Sequence, residues 1–263
     1  MLKIFFVYTF LLLSVVVLLT SCKNQSDEPE TLFEYTQRYS GIYDNDTSDQ
    51  YIEITNPIGF IFLSGIDDST KIGYVLDKTV RVTESSLAQD AFDQIVLNYS
   101  SQTDTSFCTV SSPSEISDNY KCSLNLDIPY QKKVVVKNPN NGVYTSHLVS
   151  DLYVETDYEN CTVDQHFGSL ETRTKNGNIN ADILMLTDGY CTCVSEQGNI
   201  TVRIPSNTPA TIQIKTISGS ITYTNLTLDI TTKTKTELSG SIGDGTNQIY
   251  LESKYGNITL EGI

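Results

Sequence analysis

From about residue 31 onward apolar and polar positions alternate with a period of two, and Gly, Asn, Asp and Pro interrupt the alternation. The pattern predicts strands at "LFEYTQRY", "YIEITN", "GFIFLSG", "KIGYVL", "TVRVTE", "QIVLNYS", "SFCTV", "KCSLNLDI" and "KKVVVKN". One stretch has helical spacing instead: in "SSLAQDAFDQI", residues 85–95, Ser85 or Ser86 can cap while Leu87, Ala91 and Phe92 share a face. The expected class is therefore all-β.

Toward the C-terminus the strands repeat. Gly177, Gly198, Gly219 and Gly240 follow one another at 21 residues, Gly256 comes 16 later, and Glu159 and Gly142 extend the series backward at 18 and 17. Two residues after these glycines stand Ile179, Ile200, Ile221, Ile242 and Ile258. Seven and five before them stand Leu170 and Thr172, Cys191 and Cys193, Ile212 and Ile214, and Ile249 and Leu251. Each turn thus carries two strands with one apolar face apiece, which only stacking on a neighbouring turn can bury. The expectation is a β-solenoid, a two-sheet β-helix with roughly 21-residue turns stacked in sequence order, preceded by an irregular β-rich N-terminal part. Glycine is expected at each corner for its tolerance of positive φ. Lys233 and Lys235 fall where Ile212 and Ile214 stand one turn earlier, so either a one-residue bulge turns Thr232 and Thr234 inward, the preferred reading, or the repeat is locally broken there.

These elements, in this order, resemble the bacterial putative-adhesin family of β-strand repeats, a domain family of unknown function related to the auto-transporter-adhesin head domains. The likeness covers about residues 50–263 and is carried by "IEITNPIGFIFLSG", by "LNLDIPYQKKVVVKNPNNG" and by the "SGSI" and "YGNI" turns. It implies a β-solenoid on the cell envelope and brings no catalytic residues with it. The cysteines and the lysine-bearing turn depart from the family pattern.

The first 21 residues change the picture of where such a fold would sit. Lys3 precedes the apolar run "IFFVYTFLLLSVVVLL", shorter than the ~20 apolar residues a membrane span needs, and small residues follow. Leu19, Thr20, Ser21 and Cys22 resemble a bacterial lipobox, which predicts cleavage between Ser21 and Cys22 and lipidation of Cys22. The expected organisation is a signal peptide over 1–21, a tether over 22–30 and a single β-solenoid domain over 31–263, with a β-rich part at 31–138 and repeated turns at 139–263. The acidic "KNQSDEPE" of the tether also resembles surface-export signals of some lipoproteins. Expected partners are the membrane, through the lipid anchor, and a protein or glycan ligand, with the chain on the outer membrane or cell surface. A net charge of −15 repels phosphate backbones and excludes nucleic acid.

Candidate chemistry is sparse. His147 and His166 are the two histidines, and neither lies in a metal or nucleophile motif. Cys161 stands near His166 but aligns with Ile179 as a core position. Cys191 and Cys193 share one strand face where neighbouring turns are apolar, so core thiols are expected, with a disulfide to Cys161 left open. Cys108 and Cys122 flank a turn-rich segment, where a hairpin would set them opposite each other as disulfide candidates. Asp44, Asp46 and Asp49 have some look of a calcium loop, but the Gly and terminal Glu of an EF-hand are missing, so a solvated turn is expected. The sequence offers no catalytic set, no metal site and no cofactor. It reads as a non-catalytic envelope protein that binds a ligand, with a passive scaffold or sensor as the alternative and a polysaccharide-active β-helix enzyme behind both.

Overall fold

The alternation resolves into two sheets whose inward residues form one core. The structure is a computed structural model and describes residues 31–113, 118–184 and 188–263. The signal segment, Cys22 and the tether lie outside the described residues. The front sheet holds β1 (Phe33–Asp44), β3 (Ile61–Ile66), β4 (Lys71–Val82), β7 (Tyr120–Pro129), β9 (Val143–Ser146), β11 (Cys161–Phe167), β13 (Ile179–Leu184), β15 (Ile200–Ile204), β17 (Ile221–Thr224) and β21 (Ile258–Gly262). The back sheet holds β2 (Tyr51–Thr55), β5 (Val96–Gln102), β6 (Thr105–Ser111), β8 (Lys133–Asn138), β10 (Leu152–Tyr158), β12 (Leu170–Asn176), β14 (Tyr190–Gln197), β16 (Ala210–Thr216), β18 (Asp229–Lys233), β19 (Glu237–Ile242) and β20 (Asn247–Ser253).

Each coil is one back strand followed by one front strand, and coils stack through parallel pairing. The stacking order is β6–β7, β2–β3, β8–β9, β10–β11, β12–β13, β14–β15, β20–β21 and β16–β17. The middle of the stack follows the sequence; both ends depart from it. Near the C-terminus the last coil, β20–β21, is inserted between two earlier ones. β20 pairs with β14 on one side and β16 on the other, and β21 likewise joins β15 and β17.

Gly219 therefore stacks on Gly256, not on Gly198. Gly240 is not a corner at all: it lies within β19, opposite Ile212 on one side and Ile230 on the other in antiparallel pairs. The lysine-bearing segment is likewise no solenoid turn. It forms the β18–β19 hairpin at the edge of the back sheet, and the expected irregularity appears between Ile230 and Thr232. Lys233 points outward, Thr232 is half-buried and Thr234 is exposed in the hairpin turn, so only part of the expected inward set turns in.

The corner glycines are required above all for close approach; of the four, only Gly198 has a positive φ, 159°. A Cβ on Gly177, Gly198, Gly256 or Gly219 would lie 1.8–2.1 Å from the carbonyl oxygen of Glu159, Gly177, Gly198 or Gly256 in the adjoining coil. Beside them runs an amide ladder. Asn160 Oδ1 accepts from the Asn178 backbone N–H (2.9 Å), Asn178 Oδ1 from Asn199 (2.8 Å), Asn199 Oδ1 from Asn257 (2.9 Å) and Asn257 Oδ1 from Ser220 (3.0 Å). A second ladder is made of hydroxyls: Ser195, Ser253 and Thr216 donate to the carbonyls of Gly177, Gly198 and Gly256. Corner backbone groups that the sheets leave unpaired are satisfied in this way.

The N-terminal end is closed differently. β4 runs antiparallel to both β1 and β7, and β5 antiparallel to β6. Tyr43 stacks on Tyr74 and Tyr99 at 4.8 and 4.6 Å between ring centroids, bridging the two sheets. The helix α1 (Ala88–Asp93) covers this end with Ala88, Ala91 and Phe92; Leu87 is exposed and no serine side chain caps the helix, contrary to the sequence expectation.

A candidate binding face on the front sheet

The outward side of β7, β3 and β9 carries an array of side chains set by strand register. Asn125, Phe62 and Tyr144 stand side by side across the three strands, with Asp127, Ser64 and Ser146 two residues further along. Phe60 lies at the corner before β3, over Gly142, where a Cβ would come within 3.0 Å of its ring. Phe60, Phe62 and Tyr144 are 43, 41 and 38 % exposed, although aromatic rings of this size usually seek the core. Their centroids are spaced 6.4 Å from Phe60 to Phe62 and 6.4 Å from Phe62 to Tyr144, with interplanar angles of 35° and 41°. The strip is a shallow bent line of rings on a rigid sheet.

Two clefts border it. One, of about 490 Å³, is lined by Phe60, Asp77, Tyr120, Ser123, Asn140 and Asn141 among others. The smaller, of about 160 Å³, lies against Phe62, Ser64, Asn125, Asp127 and Tyr144. Two of the nearby carboxylates are engaged within the protein. Asp77 pairs with Arg38 at 2.6 Å, which holds its carboxyl below the usual range, and Asp164 Oδ2 accepts from the Tyr144 hydroxyl at 3.3 Å. Burial, and then the charge of Asp164, raises the Tyr144 phenol above its ordinary value, so it stays protonated and able to donate. The face can stack and exchange hydrogen bonds; it holds no paired nucleophile and base.

The residues singled out in the sequence fall elsewhere. Cys108 and Cys122 do not form the expected hairpin pair. β6 and β7 belong to opposite sheets, their antiparallel partners being β5 and β4, and both thiols are free and fully buried. Burial pushes each of them up to about 12. Cys161 faces the core on the same rung as Ile179, and Cys191 and Cys193 face it from β14 with their Sγ atoms 3.8 Å apart, all three free. Burial raises the Cys161 thiol to about 12, and the hydrogen bond with Cys191 and burial raise that of Cys193, which favours the neutral, least reactive state at both. Among the described residues no group of three or more His, Cys, Asp or Glu is placed to hold a metal ion.

The Asp44–Asp49 segment is in part the solvated turn expected, with Asp44 and Asp46 exposed, but its end is anchored. Asp49 is buried and its Oδ2 accepts from Ser106 Oγ at 2.6 Å, while the Lys132 ammonium, also buried, donates to the backbone carbonyls of Asp49 (2.7 Å) and Asp46 (3.2 Å). Lys132 thus pins the loop between β1 and β2, and desolvation lowers its pKa.

His166 is buried because β11 bulges between Val163 and His166, so that Asp164 and Gln165 both face out. Its Nε2–H donates to the Ser169 carbonyl at 3.1 Å, leaving Nδ1 buried without a partner. Burial lowers its pKa below 6.5. Between that depressed value and 6.5 the unfolded chain binds more protons than the folded one, so stability contributed above pH 6.5 is lost as pH falls through this window. Melting temperature followed from pH 7.5 to 5 should decline in the wild type and decline less in His166→Gln; parallel curves would exclude His166 as the source.

The whole is a stacked two-sheet solenoid with a ring-bearing outer wall, its coils holding a small set of outward side chains in fixed register. The chain belongs to the Toastrack DUF4097 family, whose sequence profile matches residues 78–261. No curated protein matches it in sequence. Among solved structures it is similar to a putative cell adhesion protein from Clostridium sporogenes, at 11 % identity over 86 % of this chain and 100 % of that one, with a TM-score of 0.48. A putative adhesin from Bacteroides fragilis follows at 11 % identity, covering 85 % of this chain and 97 % of that one, with a TM-score of 0.41. A putative lipid binding protein from Parabacteroides distasonis shows 9 % identity over 88 % and 96 % of the two chains and a TM-score of 0.22.

Proposed function

We propose that this protein is a lipid-anchored, non-catalytic binding protein of the bacterial cell envelope that presents the front-sheet aromatic strip to a ligand. The observation that carries the reading is the exposure of Phe60, Phe62 and Tyr144 together on one rigid face. About two fifths of each residue stays in water, so a partner covering the face would gain a corresponding share of the about 1.5–3 kcal/mol that full burial of a large side chain is worth. The lipobox-like segment ending at Cys22 supports the anchor, and the buried, neutral thiols together with the internally bonded carboxylates support a binding rather than a chemical role.

Cys22→Ser is expected to move the protein from the membrane to the soluble fraction, read by fractionation of cells making either form. Retention in the membrane would refute the anchor. Protease treatment of intact cells, against a lysed control, then separates the two envelope readings: digestion on intact cells favours a surface binding protein, and digestion only after lysis favours a scaffold or sensor facing inward.

A further inference from the structure

We infer that the ligand of the front-sheet strip is a neutral glycan, held by stacking of sugar rings on Phe60, Phe62 and Tyr144 and by hydrogen bonds to the amides and hydroxyls between them. The inference rests on the binding role proposed above and gives it a ligand class.

The chemistry of the surroundings selects that class. A protein-binding hot spot gathers its aromatics in an apolar patch rimmed by polar residues. Here the outward neighbours of the rings across β7, β3, β9 and β11 are Asn125, Asp127, Ser64 and Thr162, with Ser146 buried beside them and no aliphatic side chain among them. Each ring is an apolar surface bordered by hydrogen-bonding groups. A pyranose has the complementary form: C–H bonds on its faces and hydroxyls around its edge. Amide side chains suit such hydroxyls because they both donate and accept, and Asn125, Asn140 and Asn141 line the two clefts.

Charge narrows the class to neutral sugars. Apart from Asp77, which is paired with Arg38, the clefts include Asp118 and Asp127 against Lys121, so a uronic or sulfated chain would meet an excess of negative charge. Asp77 is neutralised by Arg38 and Asp164 is hydrogen-bonded by Tyr144, which also weakens the pull on a cationic peptide. Beyond Tyr144 the same outward column continues through Thr162, Asn180, Thr201, Thr259 and Thr222. A longer chain laid across the strands would find further hydrogen-bonding side chains at each strand spacing of roughly 4.8 Å.

The test uses the full, detergent-solubilised protein and neutral hexasaccharides of glucose, mannose, galactose and N-acetylglucosamine, with oligogalacturonate as the anionic comparison. Calorimetric titration should show binding to at least one neutral probe and weaker or no binding to oligogalacturonate. Phe62→Ala and Tyr144→Ala should each weaken that binding by roughly tenfold with an unchanged melting temperature. Tyr190→Ala, similarly exposed but on the back sheet, should leave it unaltered. Absence of binding to every neutral probe, or preference for the anionic one, overturns the glycan assignment.

A second arm tells that failure from failure of the binding role, by capture on an immobilised glycoprotein before and after chemical deglycosylation. Capture that needs the glycan and is lost in Phe62→Ala supports the inference. Equal capture on both surfaces, lost in Phe62→Ala, keeps the face as a binding site but overturns the glycan. Capture unaffected by Phe62→Ala overturns both.

Discussion

Removing residues 247–263 is expected to unfold residues 206–246 with them, while the coils from β6–β7 to β14–β15 stay folded. In a stack that followed the sequence, the same truncation would shave off one terminal coil and leave the rest intact. Here the deleted coil lies between β14–β15 and β16–β17, so its loss strips four strands of a partner. Ile249, Leu251, Ile258 and Leu260, all at most 1 % exposed, leave the core together. At about 1.5–3 kcal/mol each, their burial is worth about 6–12 kcal/mol, comparable with the whole stability of a typical domain. Because each coil touches mainly its neighbours, the damage should stop at β14–β15. Hydrogen exchange and limited proteolysis would read it as lost protection across 210–242. Protection retained there would mean that β16–β17 can settle directly on β14–β15, and the inserted order would not be obligatory.

Ile200→Asp should abolish cooperative folding, whereas Ile221→Asp should lower stability only modestly. Both isoleucines occupy the same place after a corner glycine, two coils apart in the stack. Ile200 is wholly buried between the rungs of Ile179 and Ile258, so a carboxylate there would be desolvated with no cation to pair it, a change of the class that costs more than about 4 kcal/mol. Ile221 is half-buried on β17, one of the two edge strands of the front sheet, where water can reach a carboxylate. Melting curves of the two variants decide the matter. Equal losses would place Ile221 deep in the stack, as a sequence-ordered solenoid requires.

Much of the fold was legible. The alternation marked which residues turn inward, and Cys161, Cys191, Cys193, Ile179, Ile200 and Ile258 are all buried at or below 1 % exposure. The order of the coils was not legible from the 21-residue interval, because every coil presents similar rungs: Cys191, Ile249 and Ile212 stack interchangeably by shape and apolarity. A finer signal was present. "GNI" recurs at 198–200 and 256–258, whereas 219–221 reads "GSI". An asparagine can receive from one neighbour and donate to the other, while Ser220 ends the ladder. Gly240 shared the interval without the role, since a glycine opposite Ile212 and Ile230 serves a hairpin strand equally well.

The binding face was half visible. Phe60 and Phe62 are the outward members of an alternation whose inward members are Ile61 and Leu63, but Tyr144 joins them only through a strand pairing some 80 residues away along the chain. The same separation hid the contact of Lys132 with Asp49, which leaves no local pattern.

The inserted coil also imposes a timetable on synthesis. When β16 and β17 emerge, their partners have not been made, and the chain must be extended from residue 224 to residue 263 before the gap can close. At the usual rate of about 5–20 residues per second, that leaves Ile212 and Ile214 without their stacking neighbours for roughly 2–8 s. The C-terminal third cannot fold coil by coil behind the advancing chain, as a simple solenoid would. It waits for β20–β21, and until residue 263 has been made the rungs of β16 and β17 lack the coil on which they stack.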